Sequence, residues 1–127
     1  MRVSFDPSQG LIVVPTRLTG PTGTLIARFA LDTGATGTMA NWDILASLGI
    51  DPAAEKERIQ VTTGSGVEFA PRARIARIEA LGRTREPFEI LCHTLPSSAT
   101  VDGVLGLDFL RGGALTVDFR AGSIHLE

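Results

Sequence analysis

The stretch Phe29-Ala30-Leu31-Asp32-Thr33-Gly34-Ala35, FALDTGA in one-letter code, decides the fold of this chain. Three apolar residues typical of a buried strand run directly into a lone aspartate, and a Thr-Gly turn follows. A carboxylate at the end of a buried strand costs free energy unless it is paired or has a function. Gly34 has no Cβ, so a second backbone segment can approach this turn closely. The stretch therefore indicates that Asp32 is a candidate functional residue.

The composition favours one globular domain over residues 1–127. Of the 127 residues, 43% are hydrophobic, and the chain contains 14 glycines and 7 prolines. These proportions are typical of a protein rich in strands and turns with a sizeable core, and they exclude a disordered tail.

Charge and cysteine content exclude several function classes. The formal net charge of −2 points to neither nucleic acid nor an anionic membrane surface as a partner. The single cysteine, Cys92, cannot form an intramolecular disulfide and argues against a cysteine-based zinc site. No apolar run approaches the roughly 20 residues that span a bilayer, and the N-terminus lacks a signal-peptide pattern. The expectation is a soluble cytoplasmic protein.

The hydrophobic pattern predicts about eight short strands and at most two short helices. Leu11–Leu18 and Thr24–Leu31 predict one hairpin, residues 58–75 a second, and residues 114–127 a third. Turn signals recur at the spacing of a closed all-β domain. We therefore predict a closed barrel of short strands with one or two short helices.

Two stretches predict the helices. In residues 41–50, NWDILASLGI, Asn41 can cap the N-terminus of a short helix and Gly49 can end it. The second is expected where residues 101–110, VDGVLGLDFL, leave their strand.

Three features in this order resemble the retropepsin-like aspartic proteases. LDTGA at 31–35 resembles their active-site loop, and VTTGSGVEF at 61–69 resembles their flap hairpin. Val104-Leu105-Gly106 resembles their apolar-apolar-glycine signature before the last helix. The pattern covers most of residues 11–119 and is similar to retroviral proteases and to the protease domain of DNA-damage-inducible ubiquitin-shuttle proteins. Leu107-Asp108 stands where retroviral enzymes carry arginine, which fits the shuttle-protein type.

The resemblance implies the single-lobe acid protease fold and an aspartic endopeptidase that acts as a homodimer. Such enzymes activate water between two carboxylates about 3 Å apart that share one proton. Only Asp32 has the Asp-Thr-Gly context, so the second carboxylate would come from a second copy. Asp32 would be the catalytic acid or base. No metal or organic cofactor would be needed, and a peptide or protein substrate would bind as an added strand.

The resemblance also implies roles for the remaining site residues. Thr33 would form a hydrogen bond across the dimer axis, the Gly34 N–H would help to hold the carboxylate, and Ala35 would complete the loop. The flap tip would be formed by Gly64, Ser65 and Gly66. The residues that would support the catalytic loop and line the cleft are Val104, Leu105 and Gly106.

Other interpretations stay open at this point. The chain could be a catalytically silent member of the same fold, serving as a dimerisation or peptide-binding module, although the intact Asp-Thr-Gly favours catalysis. It could also be an unrelated β-barrel binding protein in which Asp32 only caps a turn. Cys92 and His93 are strand neighbours that face opposite ways, so they are not expected to form one site. Asp108 is expected to be a surface or helix residue.

The arginines of the central strands are expected on a solvated sheet face. These are Arg72, Arg74, Arg77, Arg83 and Arg85.

Overall fold

The computed structural model describes residues 1–63 and 66–127. Gly64 and Ser65, two of the three expected flap-tip residues, lie outside the described residues. In the described part, the chain forms twelve strand segments and two short α-helices. The strand count exceeds the expected eight because several segments have only two to four residues, too short for a hydrophobic period to show.

The elements follow one another along the chain. The strands are β1 (Arg2–Ser4), β2 (Val13–Gly20), β3 (Gly23–Leu31), β4 (Met39–Ala40), β5 (Arg58–Thr63), β6 (Gly66–Ile75), β7 (Arg77–Ala80), β8 (Arg83–Arg85), β9 (Phe88–Cys92), β10 (Gly103–Leu105), β11 (Leu115–Asp118) and β12 (Ser123–Leu126). The α-helices are α1 (Trp42–Ser47) and α2 (Leu107–Leu110). The three predicted hairpins correspond to β2–β3, β5–β6 and β11–β12.

The strands form two sheets. Nine strands lie in the order β5-β6-β9-β4-β10-β3-β2-β7-β8, and three lie in the order β1-β12-β11. The end strands β5 and β8 are not paired with each other in the described residues, so the large sheet curls into a half-barrel. The closed barrel that we predicted is therefore overstated. Turn spacing fixes the lengths of the strands, but it does not determine whether the first and last strands meet.

The centre of the large sheet brings the two chain segments that carry the predicted motifs together. β10 pairs in parallel with β3, with Val104 opposite Ala30 and Leu105 opposite Leu31. β10 also pairs antiparallel with β4, where Gly103 lies opposite Ala40. The end of β3, which leads into Asp32, therefore lies directly beside the end of β10.

β3 separates two apolar clusters, because successive strand residues face opposite ways. Phe29 is fully buried in the main cluster, together with Leu105 and Phe109. Ala30 belongs to a smaller cluster that includes Val104 and joins the β5–β6 hairpin to the body. The Asp32 loop thus emerges where two packed cores meet.

The predicted helix at residues 41–50 is present as α1, and Gly49 follows it with φ of +82°, the left-handed conformation in which glycine commonly ends a helix. Asn41 occupies the N-cap position, but its side chain does not cap the helix. Its amide oxygen instead accepts a hydrogen bond from Leu95 N at 3.0 Å. In the described residues, neither helix is long or apolar enough to cross a membrane.

Candidate active site

Asp32 lies at the end of β3 with its side chain exposed. Its backbone N–H donates to the Leu105 carbonyl at 3.0 Å, which fixes the main chain against β10. Its carboxylate Oδ1 accepts a hydrogen bond from Gly34 N at 2.8 Å. This turn orients the carboxylate while leaving it accessible to water, a substrate or a second acid.

The rest of the loop packs against the segment that follows β10. Leu107 N donates to the Ala35 carbonyl at 2.8 Å. Gly106 is buried, and a Cβ at this position would lie 2.8 Å from Ala35 O and equally close to the carbonyl group of Gly37. Real Cβ atoms do not approach backbone that closely, so only glycine fits between these two segments.

A buried polar network closes the loop, and the sequence did not predict it. Thr38 is fully buried, and its N–H and Oγ1 donate to Asp108 Oδ1 at 2.9 and 2.6 Å. Thr38 Oγ1 in turn accepts from Gly106 N at 3.1 Å. Asp108 does lie on a helix as expected, in the first turn of α2, but its carboxylate faces the Asp32 loop. An acid two residues after the apolar-apolar-glycine motif was the available signal, since the first turn of a helix attracts acids.

Val104 and Leu105 lie differently, although they are neighbours. Val104 lines the pocket beside Asp32, whereas Leu105 is fully buried in the main apolar cluster. Thr33 is exposed next to Asp32, and Gly66 is exposed at the start of β6. Val104 and the Asp32 loop therefore lie together beside the pocket, and Leu105 packs in the core beneath them.

A pocket of about 590 Å³ opens beside Asp32. Its wall is mainly apolar and includes Leu11, Ala30, Met39, Leu95, Val101 and Val104. Its polar lining consists of Asp32, Glu68, His93 and Thr94. A mainly apolar cavity with a few convergent polar groups is typical of a ligand-binding site. No cluster of three or more His, Cys, Asp and Glu side chains in residues 1–63 and 66–127 is arranged to hold a metal ion.

His93 lines the pocket, a position that the sequence did not predict. Cys92 and His93 do face opposite sides, as strand geometry predicts. Cys92 is buried in the main cluster, and burial raises the pKa of its thiol to about 11, so the thiol stays protonated at neutral pH. His93 instead reaches the pocket, where its Nε2 contacts Glu68 Oε2 and its Nδ1 lies 2.9 Å from Thr94 O.

Comparison with known proteins shows the family. A family model described as "Aspartyl protease" matches residues 14–109, a range that includes Asp32, Gly106 and every pocket residue except Leu11. The chain belongs to the aspartyl protease family. Among curated proteins, none matches this aspartyl protease.

Among solved structures, this aspartyl protease is similar to a retropepsin-like aspartic protease from Rickettsia conorii. The TM-score is 0.74 at 16% sequence identity, and the match covers 99% of this chain and 88% of that chain. At this identity the likeness concerns the fold. The expected retropepsin-like, nearly all-β fold is confirmed.

Proposed function

We propose that this aspartyl protease is an endopeptidase that works as a homodimer, with residues 1–127 acting as one domain. Asp32 of one copy faces Asp32 of a second copy, and the pair shares one proton. The ionised carboxylate takes a proton from water, and the protonated carboxylate polarises the scissile carbonyl. Water attacks directly, so the reaction needs neither a metal nor an organic cofactor.

The single observation that carries this proposal is the setting of the Asp32 carboxylate. It is exposed, oriented by Gly34 N, and placed at the rim of a mainly apolar pocket in a member of this family. A lone exposed carboxylate cannot perform both the acid and the base role, because each role needs its own protonation state. A second copy supplies the missing group through a two-fold axis.

The neighbouring residues support the pair in this proposal. Thr33 is exposed beside Asp32 and reaches across the axis to brace the second loop. Gly34 holds the carboxylate through its N–H, and Ala35 ties the loop to the segment after β10. A peptide binds in extended form along the pocket, where Val104 lines the wall and Leu105 and Gly106 keep the loop in place. The proposal also includes the flap role of Gly64, Ser65 and Gly66, which would cover the peptide.

The test compares Asp32→Asn with wild type and with Asp43→Asn. Asp43 is an exposed acid on α1, so its variant makes the same chemical change away from the pocket. Each protein is incubated with a mixed peptide library between about pH 4 and 7, and cleavage is followed by mass spectrometry. We expect Asp32→Asn to lose about 10²–10⁴-fold of the activity and Asp43→Asn to retain it.

Sedimentation of the same samples tests the assembly. We expect cleavage to require the mass of two chains and to fall when the protein is diluted below its dissociation constant. Full activity in a monomer would exclude the shared pair, and activity that survives in Asp32→Asn would exclude Asp32 as the catalyst. A folded dimer that cleaves nothing would favour a catalytically silent dimerisation or peptide-binding module.

A further inference from the structure

The β5–β6 hairpin leaves the body of the protein beside the Asp32 pocket. Residues 72–75 of β6 pair with β9, whereas residues 66–71 pair with residues 58–63 of β5. We call residues 58–63 and 66–71 the hairpin arm. Ala70 and Val61 pack the arm into the smaller apolar cluster. Glu68, which lies opposite Val61, also contacts His93 in the pocket wall.

The register explains why these two side chains meet. Arg72 lies opposite Leu91, so Ala70 faces the position of His93 where the chain continues past β9. Glu68 is two residues from Ala70 and therefore points to the same face of the strand. Its carboxylate contacts His93 Nε2 across the mouth of the pocket.

His93 contacts an acceptor group through each of its two ring nitrogens. One ring nitrogen faces the Glu68 carboxylate and the other faces the Thr94 carbonyl, and both of these groups only accept hydrogen bonds. Both contacts are hydrogen bonds only when the imidazole carries two protons and a positive charge. The remaining titratable group that lines this pocket is Asp32, at the end of β3. With Glu68 ionised, this geometry fits a charged pair between His93 and Glu68.

We propose that His93 and Glu68 are positioning residues, whose charged contact fixes the hairpin arm against the wall of the pocket beside Asp32. The contact sets the width of the pocket and the distance of the arm from a bound peptide. His93 is 19% exposed and Glu68 is 53% exposed, so the pair adds little to global stability and its effect is confined to the arm. The catalytic consequence rests on the proposed function, whereas the contact itself can be tested on the free protein.

The first test measures amide hydrogen exchange by NMR in wild type, His93→Gln and Glu68→Gln. Variants are compared with wild type at the same pH, so that the intrinsic exchange rate cancels. At pH 5.5 we expect arm amides to exchange about 3–5-fold faster in both variants, with β2 and β3 unchanged. His125→Gln, which alters the other histidine in the sequence, is the control and should match wild type.

A charge swap separates the ion pair from simple packing. The double variant Glu68→Arg with His93→Glu restores an opposite-charge pair that does not depend on histidine. We expect it to protect the arm as in wild type, while Glu68→Arg alone leaves the arm unprotected. Equal arm exchange in wild type and both single variants at pH 5.5 would overturn the proposal. So would an arm that stays unprotected in the double variant.

The kinetic test asks which parameter changes. A displaced arm weakens peptide binding without altering the Asp32 carboxylate, so His93→Gln should raise KM about 3–5-fold at pH 5.5 and leave kcat within about 2-fold of wild type. A fall in kcat at constant KM would contradict a positioning role. If wild type cleaves no peptide, the proposed function fails, and the exchange data alone decide whether the pair holds the arm.

Discussion

The Asp32 loop and the hairpin arm flank the same pocket, but different forces hold them. The loop is fixed by backbone packing around Gly106 and by the buried Asp108–Thr38 network. The arm is attached through a small apolar base and through ion pairs whose side chains are partly exposed. Buried, fully satisfied polar groups are costly to disturb, whereas exposed ion pairs contribute little. The Asp32 loop is therefore held more rigidly than the arm, which can adjust its position beside the pocket.

Removing the Asp108 carboxylate should weaken the hold on the Asp32 loop most and cause the largest loss of stability. In Asp108→Ala, the buried N–H and hydroxyl of Thr38 lose their acceptor, and we expect the free energy of unfolding to fall by about 3 kcal/mol. Asp108→Asn is the matched control, because it keeps an acceptor oxygen and nearly the same shape. Urea unfolding measures both variants. Equal stability of Asp108→Ala and Asp108→Asn would show that the network does not hold the loop.

Filling the space at Gly106 should have the next largest effect. The φ of −100° at Gly106 suits any residue, so the cost of Gly106→Ala is steric alone, and we expect about 2 kcal/mol. Gly10→Ala is the control, since nothing lies within 4 Å of a Cβ at that position. Peptide cleavage should fall in Gly106→Ala in step with displacement of the Asp32 loop. Unchanged cleavage and unchanged urea midpoint in Gly106→Ala would contradict the close packing.

The C-terminal end of α2 offers a smaller perturbation of the same region. Arg83 Nη1 donates to the carbonyls of Phe109, Leu110 and Arg111 at 3.0–3.2 Å, and Arg85 Nε donates to Phe109 O at 3.0 Å. A helix of four residues cannot persist on its own, so these donors matter more than they would for a long helix.

We expect Arg83→Ala to cost about 1 kcal/mol of stability and to speed amide exchange in α2. Arg74→Ala removes an exposed arginine from β6 and serves as the control. If the two variants lose the same stability, the contacts with the α2 carbonyls do not stabilise the helix.

Local patterns predicted the parts of the site that depend on local chemistry. The strand that leads into Asp32, the Thr33-Gly34 turn and the passage from β10 into α2 each follow from a few adjacent residues. That these segments lie side by side was predicted from the resemblance to a known family, because the local pattern does not show it. The open half-barrel could not be predicted from these patterns, because whether β5 pairs with β8 depends on the twist that accumulates across the whole sheet.

The sequence did not predict which side chains form hydrogen bonds with partners far along the chain. Asp108 and Thr38 are 70 residues apart, and no short-range period connects them. Arg83 and Arg85 were expected on a solvated face, but their guanidinium groups donate to the end of α2. Asn41 was expected to cap α1, but its side chain instead supports the segment at Leu95 that walls the pocket. In each case the sequence pattern identified a polar residue but did not indicate its hydrogen-bond partner.

The smallest expected effect concerns the base of the arm. Arg72 Nε lies 2.7 Å from Glu89 Oε2, and its guanidinium also contacts Glu57 just before β5. These side chains are 34–57% exposed, so Glu57→Gln should change the global free energy of unfolding by less than about 0.5 kcal/mol. Its effect should appear locally, as faster amide exchange in the arm.

Salt distinguishes the arm from the Asp32 loop. At about 1 M salt, charges are screened beyond about 3 Å, so wild-type arm exchange should rise towards that of Glu57→Gln. Thr38 is fully buried, and its hydrogen bonds to Asp108 are shielded from ions, so exchange in the Asp32 loop should not respond. If salt accelerates exchange equally in both regions, the two walls of the pocket are held by the same kind of force, and the contrast between them is wrong.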